Sequence, residues 1–249
     1  PHPPEPHPVL PPTPWQHVDY WMPVPSPTTG AGSGAVAEVS GPLDTSIPAE
    51  WLHELTWPAA PLPPAESSSD TRWVVIGHDV GTALAHRLGS DRVTVIDESA
   101  TATADVAGLL GDVDRVLYAP APPASGELFA AAPGYRLFDT ARRLVTQIAA
   151  AGSPARVQLL TRNGQPVDEG DRGSAAHAVL WGLGRSLALE HPEIWGGIVD
   201  VDESVPAAVA AGYVLTEATS GDHEDQVVYR AGVRRVPRLV ARGPRVRPA

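Results

Sequence analysis

The sequence predicts an α/β domain built on a parallel sheet, and two observations support this prediction. Short apolar runs rich in Val, Ile and Leu recur between Arg72 and Val201, which is typical of strands buried on both faces. Segments with apolar residues at helical spacing separate these runs. An alternation of strand and helix favours a parallel sheet covered by helices.

The predicted elements follow in chain order. The predicted parallel strands are residues 72–77, 92–97, 113–118, 156–161 and 196–201. The predicted helices are residues 81–88, a polar stretch that ends at Leu110, and residues 128–151, 173–190 and 205–216. Two further apolar runs, 225–229 and 234–240, flank Ala231-Gly232 and are predicted to form a terminal hairpin.

The first 65 residues differ in composition from the rest. They hold 17 of the 28 prolines and Gly/Ser-rich stretches such as PSPTTGAGSGA, which cannot bury enough apolar surface to offset their ordering entropy. We therefore expect an extended, proline-rich linker. The exceptions are Trp15, Tyr20 and Trp21, whose rings are expected to dock on an apolar surface.

Composition excludes several kinds of chemistry in this chain. It contains no cysteine, which rules out disulfides, thiolate nucleophiles and Cys-based metal sites, and which suits the cytoplasm. All 18 basic residues are arginine, so Schiff-base chemistry, a P-loop lysine and the Tyr/Lys pair of short-chain reductases cannot be completed. The exclusive use of arginine as the basic residue, together with abundant Ala, Gly, Pro and Val, indicates a GC-rich gene.

Charge and hydropathy argue against two classes of partner. The net charge is −11, although Arg230 to Arg247 holds seven arginines and no acid. This tail lacks interleaved aromatics for base stacking, and the rest of the chain repels phosphate, so we expect no nucleic-acid partner. No apolar run approaches the roughly 20 residues that span a bilayer, and the N-terminus lacks signal-peptide features, so we expect no membrane partner.

One segment lies where a nucleotide would bind in a dinucleotide fold. Gly77-His78-Asp79-Val80-Gly81 follows a predicted strand and begins a predicted helix, and Asp97 ends the next strand, as a ribose-binding acid would. The spacing is G-x-x-x-G without a third glycine, which is a weak partial fingerprint. We interpret Gly77, Gly81 and Asp97 as vestigial and predict no cofactor bound by this chain.

No other motif indicates a catalytic or metal site. The nine histidines show no H-E-x-x-H spacing, and His17 and His177 are expected to be packing residues. Asp200-Val201-Asp202 imitates the D-x-D of metal-assisted sugar transfer, but we interpret the two acids as a solvated strand end. A G-x-S-x-G nucleophile elbow is absent. We predict neither a catalytic residue nor a metal ligand.

A longer pattern resembles a known family. The motifs W-G-L-G-R at 181–185, E-H-P at 190–192 and W-G-G-I-V-D at 195–200 follow one another. This succession resembles the last helix and strand of the structural subdomain of ketoreductases in bacterial, specifically actinobacterial, modular type I polyketide synthases. Leu55-Thr56-Trp57 resembles the strand that opens that subdomain, and residues 234–240 resemble the pattern that closes it.

The resemblance also implies a domain order. Leu10 to His17, with Tyr20 and Trp21, is similar to the linker that follows the acyltransferase domain. The implied order is a post-acyltransferase linker at 1–22, a flexible linker at 23–50, the ketoreductase structural subdomain at 51–242 and a basic linker at 243–249. Such a subdomain is a truncated Rossmann-like half, and the NADPH loop and the Ser/Tyr/Lys machinery belong to the catalytic half that follows it.

The resemblance implies that this fragment is non-catalytic. It would stabilise the catalytic ketoreductase, or an adjoining enoylreductase, in a homodimeric, NADPH-dependent synthase that reduces carrier-protein-bound β-ketoacyl groups in polyketide and lipid biosynthesis. The implied partners are the catalytic half, the ketosynthase and acyltransferase domains, a dehydratase or enoylreductase where present, and indirectly the acyl carrier protein. Side chains expected to pack in the core or meet the partner half are Trp15, Tyr20, Trp21, Trp57, Trp181, Trp195, Pro237 and Leu239.

Three alternatives stay open. Only Met22 to Trp51 separates the linker from the opening strand, so a dehydratase is either absent from the parent or omitted here, and the Gly/Ser-rich stretch favours omission. The alternative function is a free-standing, degenerate dinucleotide-binding oxidoreductase. The third is a synthase remnant whose partner half is itself inactive.

Overall fold

A seven-stranded sheet lies at the centre of the fold in a computed structural model that describes residues 51–62, 70–100, 106–122, 131–168 and 170–241. All of these residues belong to the compact unit Ile47–Ala249. The strands are β1 (His53–Thr56), β2 (Trp73–Ile76), β3 (Val93–Ile96), β4 (Arg115–Tyr118), β5 (Arg156–Arg162), β6 (Trp195–Val201), β7 (Gln226–Arg230), β8 (Val233–Arg235) and β9 (Arg238–Ala241). The large sheet has the order β3-β2-β4-β5-β6-β7-β8, and its neighbours pair in parallel except β7 and β8.

Helices cover both faces of this sheet. They are α1 (His78–Leu88), α2 (Ala131–Ala150), α3 (Ala175–Glu190) and α4 (Ala207–Thr219). Successive strand residues point to opposite faces, so Val74 and Ile76 pack under α2 and α3, whereas Trp73 and Val75 pack under α1 and α4. The sheet is therefore buried on both sides, as its continuous apolar runs require. No helix among the described residues is long and apolar enough to cross a bilayer.

The predicted fold class is confirmed, with one helix as the exception. Each predicted parallel strand is present within a residue or two of its expected bounds, and four of the five predicted helices form. The polar helix predicted before Leu110 is wrong at its two ends, which are the 3₁₀ turns Glu98–Ala100 and Ala107–Leu109, and residues 101–105 between them lie outside the described residues. Between Glu98 and Leu110, four alanines alternate with a serine, two threonines, an aspartate, a valine and a glycine, which are all weaker helix formers than alanine.

The terminal hairpin forms as predicted, but its second strand is divided. Ala231 and Gly232, with φ of 48° and 79°, make the tight turn between β7 and β8. Pro237 follows β8 and has no N–H for a ladder, so the chain leaves the large sheet there. The remainder forms β9, which pairs antiparallel with β1 in a two-stranded ribbon and sets Leu239 opposite Leu55.

Candidate nucleotide-binding edge

The order of the strands reverses between β2 and β4, and this is the place where open α/β sheets bind ligands. The chain passes from β2 to β3 on one side and returns to β4 on the other side of β2. At the carboxyl ends of these strands lies a cavity of about 210 Å³. Its lining includes Gly77, His78, Asp79, Asp97, Glu98 and Arg162. The structure therefore brings Gly77 and Asp97 to one edge, whereas Gly81 lies one turn into α1.

Both glycines of the partial fingerprint are explained by close packing. Gly77 has φ of 134°, and a Cβ atom there would lie 2.2 Å from the carbonyl oxygen of Ala119. A Cβ on Gly81 would lie 2.7 Å from Cγ1 of Val95, where α1 crosses β3. The fold itself requires glycine at both positions. Their presence is accordingly no argument for a nucleotide.

The charges that line this edge are mainly acidic. The carboxylates of Asp79, Asp97 and Glu98 all border the cavity. Asp97 lies 3.8 Å from Nδ1 of His78, and both side chains are largely exposed. Glu98 accepts hydrogen bonds from the hydroxyl of Tyr118 (3.0 Å) and the main-chain N–H of Ala121 (3.3 Å). Burial, together with the Glu98 carboxylate, raises the pKa of Tyr118, so its hydroxyl remains a donor.

Arg162 is the arginine that lines this cavity, and its guanidinium is held by the protein. The residue is only 7% exposed. Its Nη1 donates to the carbonyl oxygens of Asp202 (3.4 Å), Glu203 (3.3 Å) and Val205 (2.8 Å). Burial lowers the pKa of Arg162, although an arginine starts high enough to stay charged at neutral pH. The side chain thus anchors the turn after β6.

His177 lies behind this edge and joins two strand ends. Its Nδ1 accepts from the main-chain N–H of Arg162 (3.1 Å), so Nε2 carries the proton that it donates to the carbonyl oxygen of Ala121 (3.3 Å). The ring is fully buried, and burial lowers the pKa of His177 to about 4. These contacts agree with the packing role expected of this residue.

Asp200 is not a solvated strand end, and that interpretation of the D-x-D pattern is wrong. The Asp200 carboxylate is 0% exposed and lies 2.6 Å from Nη2 of Arg230. It also accepts from the hydroxyl of Thr161 (2.5 Å) and the N–H of Gly164 (2.7 Å). Thr161 in turn accepts from Nε1 of Trp181 (3.0 Å). Burial raises the pKa of Asp200, and its hydrogen-bond partners oppose that rise.

Sequence reasoning missed this network because its members are far apart along the chain. Arg230 also donates to the carbonyl oxygen of Gln165 (2.7 Å) and lies 3.6 Å from Asp171 and 3.4 Å from Asp202. The network therefore ties the loop after β5 to β6 and β7. The sequence did contain one signal of this network, which is the acid Asp200 at the end of an apolar strand run. A carboxylate there needs a cationic partner once helices cover both faces of the sheet.

The tryptophans of the family pattern belong to the core. Trp57, Trp181 and Trp195 are all buried, and the rings of Trp57 and Trp181 meet edge to face with centroids 5.8 Å apart. A Cβ on Gly184 would lie 2.7 Å from the ring of Trp195, so W-G-L-G and W-G-G form one packing unit. Pro237 is half-buried and Leu239 is 69% exposed. The predicted positions Trp15, Tyr20 and Trp21 lie outside the described residues.

The described residues hold no group of three His, Asp or Glu side chains placed to bind a metal ion.

The fold and this edge together define a Rossmann-like half of the kind found in ketoreductases. A family profile described as "Polyketide synthase extender module SpnB, Rossmann fold domain" matches residues 21–239. The chain belongs to this family of polyketide synthase domains.

Relatives and solved structures agree with this assignment. The chain is 47% identical over 255 residues to a phenolphthiocerol/phthiocerol polyketide synthase of Mycobacterium tuberculosis, in a match that covers 97% of the chain and 16% of that protein. It is 29% identical over 253 residues to pikromycin polyketide synthase component PikAII of Streptomyces venezuelae, in a match that covers 94% of the chain and 6% of that protein. A solved structure described as an A1-type ketoreductase superposes with a TM-score of 0.61 at 26% identity, over 79% of this chain and 43% of that one.

Proposed function

We propose that this chain is the non-catalytic structural subdomain of a polyketide synthase ketoreductase. One observation carries the proposal. At the edge where a dinucleotide would bind, three carboxylates line the cavity and the guanidinium of Arg162 is held by main-chain carbonyls. A scaffold of this kind stabilises the half that performs the reduction.

A pyrophosphate needs positive charge and free N–H donors at the start of the helix. Asp79 lies in the first turn of α1, so a carboxylate lies where phosphate charge would concentrate. Asp97 is the predicted ribose-binding acid, but its carboxylate lies beside His78. The chain also has no lysine for the Tyr/Lys pair of a reductase. These features favour the scaffold over the alternative of a free-standing oxidoreductase.

The partner proposed for this scaffold is the catalytic ketoreductase half. The helices α2 and α3 pack against each other and expose large apolar side chains, with Tyr135 73% exposed and Leu189 86% exposed. The ribbon adds the exposed Leu239. Apolar groups of this size in water are typical of a surface that another domain covers. The domain order proposed is a structural subdomain over 51–242 that follows linkers at 1–22 and 23–50 and precedes one at 243–249.

The wider assignment concerns the parent synthase. We propose that the catalytic half uses NADPH to reduce a β-ketoacyl group on a carrier protein, within a cytoplasmic homodimer that also holds ketosynthase and acyltransferase domains. Dehydratase and enoylreductase domains are further candidate neighbours. The similarity to polyketide synthases over nearly the whole chain supports this assignment.

Calorimetry with NADPH tests the proposal. The 249-residue chain alone should show no binding at millimolar NADPH, whereas binding and ketone reduction should appear when the catalytic half of the ketoreductase is added. Tyr135→Ala should weaken the association of the two polypeptides by about tenfold, as truncation of an aromatic anchor does. Thr146→Ala, on the same helix, is the matched control and should leave the association unchanged. Saturable NADPH binding by the chain alone would contradict the scaffold role.

A further inference from the structure

A pair of arginines lies at the opposite edge of the sheet, where the parallel strands begin. Arg115 is the first residue of β4 and Arg156 the first residue of β5, and the register sets them directly opposite each other. Paired residues on neighbouring strands project to the same face, and like charges in such pairs repel. The arrangement is therefore costly unless something lies between the two charges.

Neighbouring strands show how the fold usually compensates such a charge. Arg72 precedes β2 and lies 3.5 Å from Asp112, and Arg92 precedes β3 and lies 3.3 Å from Asp70. Within the described part of the chain, neither Arg115 nor Arg156 has a carboxylate within 4.0 Å. The pair thus differs from the arginines beside it.

Each guanidinium donates a hydrogen bond to a main-chain carbonyl of the described residues. Nη2 of Arg115 donates to Ala218 (2.6 Å) in the last turn of α4, and Nη1 of Arg156 reaches Trp195 (3.5 Å). A guanidinium carries five N–H donors, so most of those on the two side chains are not used by these bonds. Burial lowers the pKa of Arg115, the charge of Arg156 lowers it further, and Asp114 opposes this shift.

The nearby acids are already engaged. Glu217 pairs with Arg234 at 2.8 Å, and Glu224 pairs with Arg238. Asp225 accepts from Nε1 of Trp195 (2.8 Å). The main-chain N–H of Arg72 donates to Asp114 (2.8 Å). Each of these carboxylates therefore already has a partner other than Arg115 or Arg156.

The two guanidiniums also border open space. Arg115 and Arg156 both line a cavity of about 280 Å³ and a second cavity of about 390 Å³. Acids share these linings, namely Glu217, Glu224 and Asp225 in the first and Asp70 and Asp114 in the second, and each has the partner given above. Either volume accommodates a small oxyanion. Two adjacent guanidinium forks match the geometry of a phosphate group, whose oxygens accept several N–H bonds at once.

We propose that Arg115 and Arg156 form a phosphate-binding site, which takes inorganic phosphate or the phosphate of a small monoester. The site is independent of the proposed scaffold function and lies at the other end of the strands from the candidate nucleotide-binding edge. A bound dianion would offset the repulsion within the pair.

Thermal unfolding of the full 249-residue chain tests the site. At constant ionic strength, replacing chloride by phosphate should raise the Tm by about 3 °C as phosphate saturates. Arg156→Gln should abolish this rise, and in chloride it should leave the Tm unchanged or higher because the repulsion is gone. Arg142→Gln, an exposed arginine on α2, is the matched control and should keep the rise.

A second variant and a second ligand sharpen the result. Arg156→Lys keeps the positive charge but loses the guanidinium fork, so this variant should bind phosphate several-fold more weakly than the original chain. It also provides a second test of the site if Arg156→Gln fails to fold. Saturation by glycerol 3-phosphate alone assigns the site to monoesters, and saturation by both ligands assigns it to the phosphate group itself. No saturable rise, or an equal rise in Arg156→Gln, would overturn the proposal.

Discussion

The two halves of the carboxyl edge of the sheet hold their charges in opposite ways. Beside β2, β3 and β4, the acids border an open cavity, and the His78–Asp97 pair is 3.8 Å apart and largely exposed. Beside β5, β6 and β7, Asp200 and Arg230 are buried 2.6 Å apart within a network of hydrogen bonds. One half of the edge remains accessible, and the other is closed by its own side chains.

The difference shows where this fold depends on its charges. An exposed pair at 3.8 Å gains little, because water screens it and both side chains lose freedom in forming it. A buried pair is indispensable once formed, because removing one partner leaves an uncompensated charge out of water. The closed half is therefore structural, and only the open half retains the outline of a ligand site.

Removal of the buried carboxylate should have the largest effect on stability. Asp200→Ala removes the nearest and most buried carboxylate of Arg230 and the acceptor of the Gly164 N–H, and we expect the free energy of unfolding to fall by about 3–5 kcal/mol. Urea denaturation followed by circular dichroism measures this loss. Asp97→Ala, in the open half, is the control and should change stability little. Equal losses in both variants would show that the two halves do not differ.

Protonation of His177 should give the next largest effect, through pH. The folded pKa of about 4 lies below the usual value of 6.5, so the unfolded chain binds more protons between these values. The contribution of His177 is present above pH 6.5 and is lost as the pH falls toward 4, by up to about 3 kcal/mol. Urea denaturation across this pH range measures it, with His177→Gln as the reference for all other titrating groups. Parallel curves for the two proteins would rule out this role.

The smallest expected effect on stability comes from substitution of glycines. Gly77→Ala should cost about 2 kcal/mol, because the added Cβ meets the carbonyl of Ala119 in a backbone conformation that disfavours side chains. Gly182→Ala is the matched control, since it lies on an exposed face of α3 with open space around it and should gain about 1 kcal/mol. Thermal unfolding of both variants provides the measurement. A neutral Gly77→Ala would mean that its loop can move, and would reopen the case for a ligand at this edge.

Much of the fold was predictable because its strands and helices have local signals. Continuous apolar runs predicted β2 to β6, and helical spacing with a proline after Glu190 predicted the extent of α3. Two expectations failed, one for a non-local and one for a local reason. The second hairpin strand divides at Pro237 because β9 finds its partner in β1, near the other end of the described chain. The stretch before Leu110 forms only 3₁₀ turns among its described residues, because Ser, Thr, Asp, Val and Gly interrupt its alanines.

The sequence by itself determined the α/β class, the absence of lysine and cysteine chemistry, and the partial character of the G-x-x-x-G motif. These follow from composition and spacing, which need no coordinates. Only the tertiary structure decided that Asp200 is buried with Arg230, that Arg162 is committed to carbonyl oxygens, and that Arg115 faces Arg156. Each of these contacts joins residues that are 30 to 43 positions apart in the sequence. The order of the strands in the sheet brings such residues together, and strand order has no local signature in the sequence.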